Sequence, residues 1–263
     1  MRRAGKLVRD STRKSFSSVS EKEVSKFSGL KKTWWDPRQN PLIGMNPIRV
    51  QYITNNTTCA LSGLKFLDVG SGGGILSESL ARLGGNVTAL DPSYTLVEHA
   101  QKHAGLDPKT RNIKYKGGCS IEQLASNEKN REESEGCLYD VICILEVLEH
   151  VENIDSILSA ARSLLKPNTG RLFVSTLNRT IKSQMMAIIG AEYIMRYLPP
   201  GTHDWNQFRS PNEVELLMNR VGMQQVDVQG LVVTKPPLWG QWDWKLDRKD
   251  TDVNWIGTYK III

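Results

Sequence analysis

The residues best suited to chemistry form a glycine-rich turn that is followed at a fixed distance by an acid. The turn runs from Asp68 to Gly74 with the sequence Asp-Val-Gly-Ser-Gly-Gly-Gly, and Asp91 lies 21 positions after Gly70. Glycines let the backbone pass close to a ligand where any Cβ would clash. An acid at the end of the second strand can accept hydrogen bonds from both hydroxyls of a ribose. The pattern predicts a nucleoside-binding site.

The spacing of the glycines separates two nucleoside cofactors. A dinucleotide site uses G-x-G-x-x-G and places a pyrophosphate at the helix N-terminus. Here Gly70, Gly72 and Gly74 are spaced G-x-G-x-G. S-adenosylmethionine carries no phosphate, and Asp68, two residues before the first glycine, suits its ammonium group. We therefore expect S-adenosylmethionine here, with Asp91 on its ribose.

A second group of reactive residues directly follows a predicted apolar strand at 140–145, which ends in Leu145. Glu146, Glu149 and His150 are spaced i, i+3, i+4, so on one helical turn they would share a face. Two carboxylates and an imidazole can ligate a divalent metal or transfer protons. Mg²⁺ prefers oxygen ligands, so the imidazole leaves room for Zn²⁺ or Mn²⁺. The alternative is an acid-rich first turn that only complements a helix dipole.

A third segment is strongly apolar and leads to another histidine. The stretch 181–197 is predicted to be helical and contains three methionines, and His203 and Asp204 follow a Pro-Pro-Gly turn. The helix is either part of the core or a wall that meets an apolar substrate or the membrane surface. His203 can position a substrate hydroxyl or cap a surface loop.

Alternating strands and helices must hold these residues at one edge of a sheet. Five strands, each leading into a helix, and two late strands are expected at 65–70, 86–91, 113–116, 140–145, 171–176, 224–230 and 253–262. This order predicts a Rossmann-like α/β fold, a doubly wound, mostly parallel seven-stranded sheet with N-terminal helices. Asn46 and Pro47 are expected to begin one of those helices. A ligand should lie where strands 1 and 4 diverge.

Positive charge is concentrated at the N-terminus. The chain has 263 residues and a net charge of +6, of which residues 1–20 carry +5. The remaining chain is nearly neutral, so no nucleic-acid partner is expected. The Arg- and Ser-rich, acid-poor segment 1–20 predicts a mitochondrial transit peptide, with a disordered basic tail as the alternative. Residues 21–263 are then expected to form a single S-adenosylmethionine-binding domain. The four cysteines show neither metal-ligand spacing nor a disulfide framework, and there is no run of 18 apolar residues.

Seven motifs between Trp34 and Trp205 carry a family resemblance. They are Trp34-Trp35-Asp36, Asn46-Pro47-Ile48-Arg49, the turn 68–76, Glu146-Val147-Leu148-Glu149-His150-Val151, Ser175-Thr176-Leu177-Asn178-Arg179, Gly190-Ala191-Glu192-Tyr193-Ile194 and Gly201-Thr202-His203-Asp204-Trp205. Together they resemble the ubiquinone-biosynthesis O-methyltransferases of the mitochondrial and bacterial coenzyme Q pathway. The glycine turn is shared by many methyltransferases, whereas the last three motifs are much more specific.

The resemblance implies a substrate, a location and partners. It implies methylation of catechol hydroxyls on polyprenylated benzene rings, a polyprenyl-dihydroxybenzoate and a demethylubiquinol. It also implies peripheral association with the matrix side of the mitochondrial inner membrane, within a multi-subunit complex of coenzyme Q biosynthesis proteins. The alternative is a non-catalytic or differently specific methyltransferase-fold subunit of such a membrane-bound complex.

The resemblance also assigns roles to individual residues. It implies that Arg49, Gly70, Asp91 and Leu145 contact the methyl donor. It implies that Glu146, Glu149 and His150 bind a divalent metal, with Mg²⁺ favoured over Zn²⁺ or Mn²⁺. A cation that bridges both catechol oxygens would lower the pKa of one of them. His150 or His203 is the expected proton acceptor.

Overall fold

The computed structural model describes residues 18–129, 138–186, 204–235 and 243–262, and these form one eight-stranded sheet flanked by helices. The strands are β1 (Lys65–Val69), β2 (Asn86–Asp91), β3 (Lys114–Gly117), β4 (Val141–Leu145), β5 (Arg171–Leu177), β6 (Met223–Lys235), β7 (Asp243–Asp247) and β8 (Asn254–Ile261). They lie in the order β3-β2-β1-β4-β5-β8-β6-β7. The predicted doubly wound α/β fold is confirmed, with eight strands in place of seven.

The sheet is parallel in its first five strands and antiparallel beyond them. β8 pairs antiparallel with both β5 and β6, and β7 pairs antiparallel with the outer half of β6. The additional strand is therefore an edge strand. The pairing between β5 and β8 sets Asn254 opposite Leu177, at the edge where the parallel strands end.

The helices are α1 (Glu21–Ser28), α2 (Pro41–Asn56), α3 (Ile75–Arg82), α4 (Tyr94–Ala104), α5 (Ile121–Lys129), α6 (Ile154–Leu164), α7 (Ile181–Ser183) and α8 (Pro211–Arg220). The prediction that Asn46 and Pro47 begin a helix is wrong. Asn40 caps α2 by accepting a hydrogen bond from the Leu42 backbone N–H at 3.0 Å, and Pro41 occupies the first helical position. The same cap-and-proline pair occurs six residues earlier, so Asn46 lies inside the helix. Its side chain instead donates to Ser79 Oγ of α3 at 2.8 Å.

The carboxyl ends of β1 and β4 open a crevice because the chain changes direction between these two strands. All five residues of β4 are buried, as expected for a central parallel strand, and Cys143 is a small core residue within it. One apolar cluster fills each face of the sheet. The predicted ligand position at the switch between β1 and β4 therefore coincides with a real gap between helices.

The N-terminal segment already contacts the sheet domain before α1 begins. Ser18 is buried, its backbone N–H donates to Glu122 Oε1 at 3.1 Å, and Val19 forms an isolated antiparallel bridge with Val151. The packed part of the chain thus begins at least two residues before the predicted boundary after residue 20. The transit-peptide assignment itself stays a prediction.

The apolar segment 181–197 is described only in its first six residues. They form α7 and one wider helical turn up to Met186, and the rest of the segment, like His203, lies outside the described residues. In the part of the chain that the structure describes, no helix has the length and apolar character needed to cross a bilayer.

Candidate active site

A cavity of about 1070 Å³ lies at the carboxyl edge of the sheet, over the switch between β1 and β4. Eight of the residues predicted for the site line it: Arg49, Asp68, Gly70, Gly72, Asp91, Leu145, Glu146 and His150. Glu149 is buried behind the wall rather than among the lining residues. The N-terminal segment contributes the opposite side through α1 and Trp34. These eight predicted residues thus line one cavity.

The glycine turn has the backbone that its composition predicts. Gly70, Gly72 and Gly74 have φ values of 71°, 53° and 90°, a left-handed region that side chains rarely adopt. The close neighbour of the turn, however, is a protein side chain. A Cβ on Gly72 would lie 2.1 Å from Cζ2 of Trp34, and a Cβ on Gly73 would lie 2.2 Å from Cδ1 of the same ring. The middle glycines therefore admit the Trp34 indole against the turn.

Asp91 connects the end of β2 to the glycine turn. Its Oδ2 accepts a hydrogen bond from the Gly72 backbone N–H at 2.8 Å, and its Oδ1 accepts one from the Ser93 backbone N–H at 2.8 Å. Burial raises the pKa of Asp91 to about 6, against the lowering effect of these two hydrogen bonds. Each carboxylate oxygen keeps a second lone pair, so the group can still accept from two ribose hydroxyls.

Arg49 and Asp68 place opposite charges in the floor of the cavity. Burial raises the pKa of Asp68 to about 6, opposed by the hydrogen bond from Ser77 Oγ and by the charge of Arg49. Burial also lowers the pKa of Arg49, opposed by the charges of Glu146 and Asp68. Two buried donors in this wall, Arg49 Nε and Ser71 Oγ, have no hydrogen-bond partner among the described atoms. Buried polar atoms are rarely left unpartnered, so this floor fits a polar ligand such as the amino-acid end of S-adenosylmethionine.

Glu146 is held at both its backbone and its side chain. It adopts a φ of 58°, which is uncommon outside glycine, and its N–H donates to the Ser175 carbonyl at 3.0 Å. Ser175 Oγ donates to Oε1 at 2.5 Å, and Asn254 Nδ2 donates to Oε2 at 3.1 Å. Burial raises the pKa of Glu146, and the nearby charge of Glu149 raises it further. Glu149 Oε2 in turn accepts from Thr176 Oγ1 at 2.7 Å.

The expectation that Glu146, Glu149 and His150 share a helical face is wrong. Only a short 3₁₀ turn, Leu148–His150, forms after β4, and Glu146 precedes it in a left-handed conformation. His150 faces α1, where its Nδ1 lies 2.9 Å from Glu23 Oε2. Among the residues that the structure describes, no three His, Cys, Asp or Glu side chains are placed to hold a metal ion. The three predicted ligands are therefore not gathered as a metal site, and metal binding stays a prediction.

Several residues of this site were not predicted from the sequence. Ser175 and Thr176 belong to a motif of the family resemblance but received no role from it, and they lie near the C-terminal end of β5, next to β4. Glu23 and Asn254 reach the site from distant parts of the chain, and no local pattern distinguishes them. The predicted cofactor residues, in contrast, all lie in contiguous motifs.

Comparison with known proteins places the chain in a family. Residues 48–228 match the family described as "Methyltransferase domain". "Ubiquinone biosynthesis O-methyltransferase" from Cereibacter sphaeroides is 38% identical over 252 residues, covering 91% of this chain and 96% of that protein. "Ubiquinone biosynthesis O-methyltransferase, mitochondrial" from Arabidopsis thaliana is 37% identical over 255 residues, covering 92% of this chain and 74% of that protein.

Solved structures show the same fold at much lower identity. A S-adenosylmethionine-dependent methyltransferase from Thermotoga maritima, described as a possible histamine N-methyltransferase, has a TM-score of 0.62 at 14% identity and covers 91% of this chain and 98% of its own. Magnesium protoporphyrin IX methyltransferase from Synechocystis PCC 6803, solved with bound S-adenosylmethionine, has a TM-score of 0.56 at 16% identity. The match covers 94% of this chain and 99% of that protein's chain. The family match and the curated relatives show that the chain is a methyltransferase and belongs to the ubiquinone biosynthesis O-methyltransferase family.

Proposed function

We propose that this protein methylates a ring hydroxyl of polyprenylated catechol intermediates in ubiquinone biosynthesis, a polyprenyl-dihydroxybenzoate and a demethylubiquinol. The observation that carries the proposal is the single cavity of about 1070 Å³. Asp91, Glu146 and His150 all line it, and its volume is at the upper end of the range for small-molecule sites, which supports an acceptor beside the nucleoside. The names of the curated relatives supply the pathway.

The far end of the cavity suits an apolar acceptor. From β5 onwards, the chain lines the cavity with the apolar side chains Leu177, Met186, Leu231, Val232, Val233, Trp244 and Val253, together with the polar Lys182, Asp250 and Asn254. On the adjoining α7 turn, Ile181 and Met185 are 74% and 59% exposed. Large exposed apolar side chains beside the cavity support entry of a prenylated ring from the membrane surface.

The chain's own residues would hold the methyl donor as follows. Asp91 accepts from the ribose hydroxyls, Asp68 faces the ammonium group, and Arg49 pairs with the carboxylate. Gly70 and Gly72 provide close backbone, and Leu145 provides an apolar wall in the same cavity. S-adenosylmethionine supplies a sulfonium methyl group, so the acceptor oxygen gains the methyl, the sulfur keeps the electron pair of the broken bond, and the hydroxyl loses one proton.

His150 is the group that we assign to receive that proton. It lines the cavity, and the free ring nitrogen of a neutral imidazole can act as a general base. Holding the acceptor against the donor would provide much of the remaining rate. His203, the second predicted base, lies outside the described residues and keeps that role as a prediction.

The metal-assisted form of the reaction remains a separate prediction. Glu146, Glu149 and His150 are not gathered for ligation, and we derive no step through a cation. A chelator therefore distinguishes the two forms. Activity that EDTA abolishes and Mg²⁺ or Zn²⁺ restores would assign deprotonation to a metal site. Activity that EDTA leaves intact would assign it to a protein base.

The test is methyl transfer from labelled S-adenosylmethionine to a short-tailed dihydroxybenzoate. We expect one methyl per ring, and no transfer to the matching benzoate without hydroxyl groups. His150→Gln should lower the rate, and His99→Gln, on the outer helix α4, serves as the matched control. Cofactor binding without transfer to any catechol would overturn the proposal and favour the non-catalytic or differently specific subunit.

The proposed location is the matrix side of the mitochondrial inner membrane, in a complex with other coenzyme Q biosynthesis proteins. Support comes from the basic N-terminal segment and from the mitochondrial relative in Arabidopsis thaliana. We expect the first residues to act as a transit peptide and the rest to act as one domain. Protease protection of the tagged full chain in isolated mitochondria, with and without carbonate extraction, tests this assignment.

A further inference from the structure

We propose that Glu23 is a positioning residue that fixes the His150 imidazole in the tautomer with its hydrogen on Nδ1. The ring's lone pair is then on Nε2, the form that a proton acceptor requires. The inference rests on the role proposed above for His150. It assigns a part in the reaction to α1, which lies outside the residues 48–228 that match the methyltransferase domain.

The geometry of the pair determines the tautomer. His150 Nδ1 lies 2.9 Å from Glu23 Oε2, and the two side chains are only 14% and 21% exposed. An ionised carboxylate can only accept hydrogen bonds, so the ring nitrogen that faces it must carry the hydrogen. The Phe27 ring, one turn further along α1, packs edge-on against the imidazole with centroids 4.8 Å apart. Two side chains of one helix thus fix both the position and the tautomer of the ring.

Glu23 is kept ionised by its surroundings. Its carboxylate oxygens face two donors, the Lys26 ammonium and the His150 ring. Lys26 Nζ lies 3.0 Å from Oε1 and 2.9 Å from Oε2 of the carboxylate. The group therefore remains an acceptor throughout the neutral range.

The segment that leads into α1 is bound directly next to His150. Just before α1, the Ser18 carbonyl accepts a hydrogen bond from the Glu152 backbone N–H at 2.9 Å, and Val19 bridges Val151. The residues that directly follow His150 therefore bind the segment that precedes Glu23. The arrangement resembles the carboxylate–histidine pairs that orient catalytic and metal-bound imidazoles in other enzymes. It makes the orientation of His150 depend on docking of the N-terminal segment.

The tautomer can be measured directly by ¹⁵N NMR of the full chain labelled at its four histidines. His150→Gln assigns the signal, and a pH series identifies the spectra in which the ring is neutral, so that its tautomer can be read. We expect Nδ1–H in the wild type. Glu23→Leu, which removes the acceptor, should abolish this preference. Glu23→Gln keeps an acceptor oxygen without the charge and should retain part of the preference for the Nδ1–H tautomer. Glu21→Gln, on an exposed position of the same first turn, is the matched control and should change nothing.

Kinetics provide the second measurement. We expect kcat for methyl transfer to fall about 10- to 100-fold in Glu23→Leu and less in Glu23→Gln, with KM for S-adenosylmethionine unchanged. Thermal unfolding and S-adenosylhomocysteine binding show whether Glu23→Leu is folded. If it is not, the inference is tested on Glu23→Gln alone. An Nε2–H tautomer in the wild type, or unchanged tautomer and kcat in the variants, would overturn the inference. If the wild type methylates no catechol, the proposed function fails, while the NMR result still decides the Glu23–His150 pairing.

Discussion

Replacing Gly72 by alanine should destabilise the protein through two separable effects. Gly72 has a φ of 53°, and a Cβ built on it would lie 2.1 Å from Cζ2 of the Trp34 ring. Gly63 offers a control for the first effect alone, because its φ is 82° and no heavy atom lies within 4 Å of its added Cβ. The pair of variants therefore separates backbone strain from collision with the indole.

The two costs can be estimated separately. Left-handed backbone costs an L-residue about 1–2 kcal/mol, and this cost applies at both positions. Forcing a methyl group into a packed site costs about 1–3 kcal/mol more, and it applies only at Gly72 because Trp34 must move. Gly72→Ala should therefore lose about 2 kcal/mol more than Gly63→Ala. For a domain of this size, that difference corresponds to a Tm lower by about 4–8 °C.

The assay is thermal and urea unfolding of both variants, repeated with Trp34→Ala as the background. Removal of the indole opens the space beside Gly72. The cost of Gly72→Ala should then fall to that of Gly63→Ala, which gives a coupling energy of about 1–3 kcal/mol between the two positions. Equal costs for Gly72→Ala and Gly63→Ala in the wild-type background would refute the packing of Trp34 on the turn. So would an unchanged cost of Gly72→Ala in the Trp34→Ala background.

The remaining predictions concern the buried charges of the site. Burial raises the folded-state pKa of Asp68 to about 6 from 3.8. As the pH rises from about 4 to 6, the free energy of unfolding of the wild type relative to Asp68→Asn should therefore fall, and above about pH 6 it should stay level. A rise of this difference with pH in urea unfolding would contradict the prediction. Asn254→Leu removes a donor to Glu146 and should lower kcat about 10-fold with S-adenosylhomocysteine affinity unchanged, whereas the exposed Asn206→Leu should have no effect. Arg49→Met leaves buried carboxylates without their cation and should cost about 3 kcal/mol or more in unfolding, and a neutral result would exclude that charge arrangement.

Unlike the edge strand β3, whose residues alternate between exposed and partly buried, strands β1, β2, β4 and β5 could be predicted because each is largely a run of apolar residues between turn signals. Such strands are buried on both faces of the sheet, so the signal is continuous. β7 could not be predicted, because Asp243–Asp247 alternates charged and apolar residues over only five positions. It becomes a strand by pairing with the outer half of β6, which is a tertiary effect.

The cofactor end of the site was predictable because its signal is local. The glycine turn and Asp91 belong to one βαβ unit, and the hydrogen bond from Gly72 to Asp91 explains why they occur together. The far end was less predictable. The spacing of Glu146, Glu149 and His150 suggested a helical face, but the φ of 58° at Glu146 breaks that face before the 3₁₀ turn begins.

The partners of these side chains are long-range contacts. Glu23 lies 127 positions before His150, and Asn254 lies 108 positions after Glu146. Neither separation leaves a periodic or motif-level signal in the sequence. Only the docking of the N-terminal segment and the antiparallel return of β8 bring them to the site.

The most direct test of the account is a crystal structure of the full chain with S-adenosylhomocysteine and a short-tailed dihydroxybenzoate. We expect the ribose hydroxyls within hydrogen-bond distance of the Asp91 carboxylate, and a ring hydroxyl beside His150 in the same cavity. Binding of the nucleoside away from Asp91, or of the ring away from His150, would contradict the proposed path of methyl transfer.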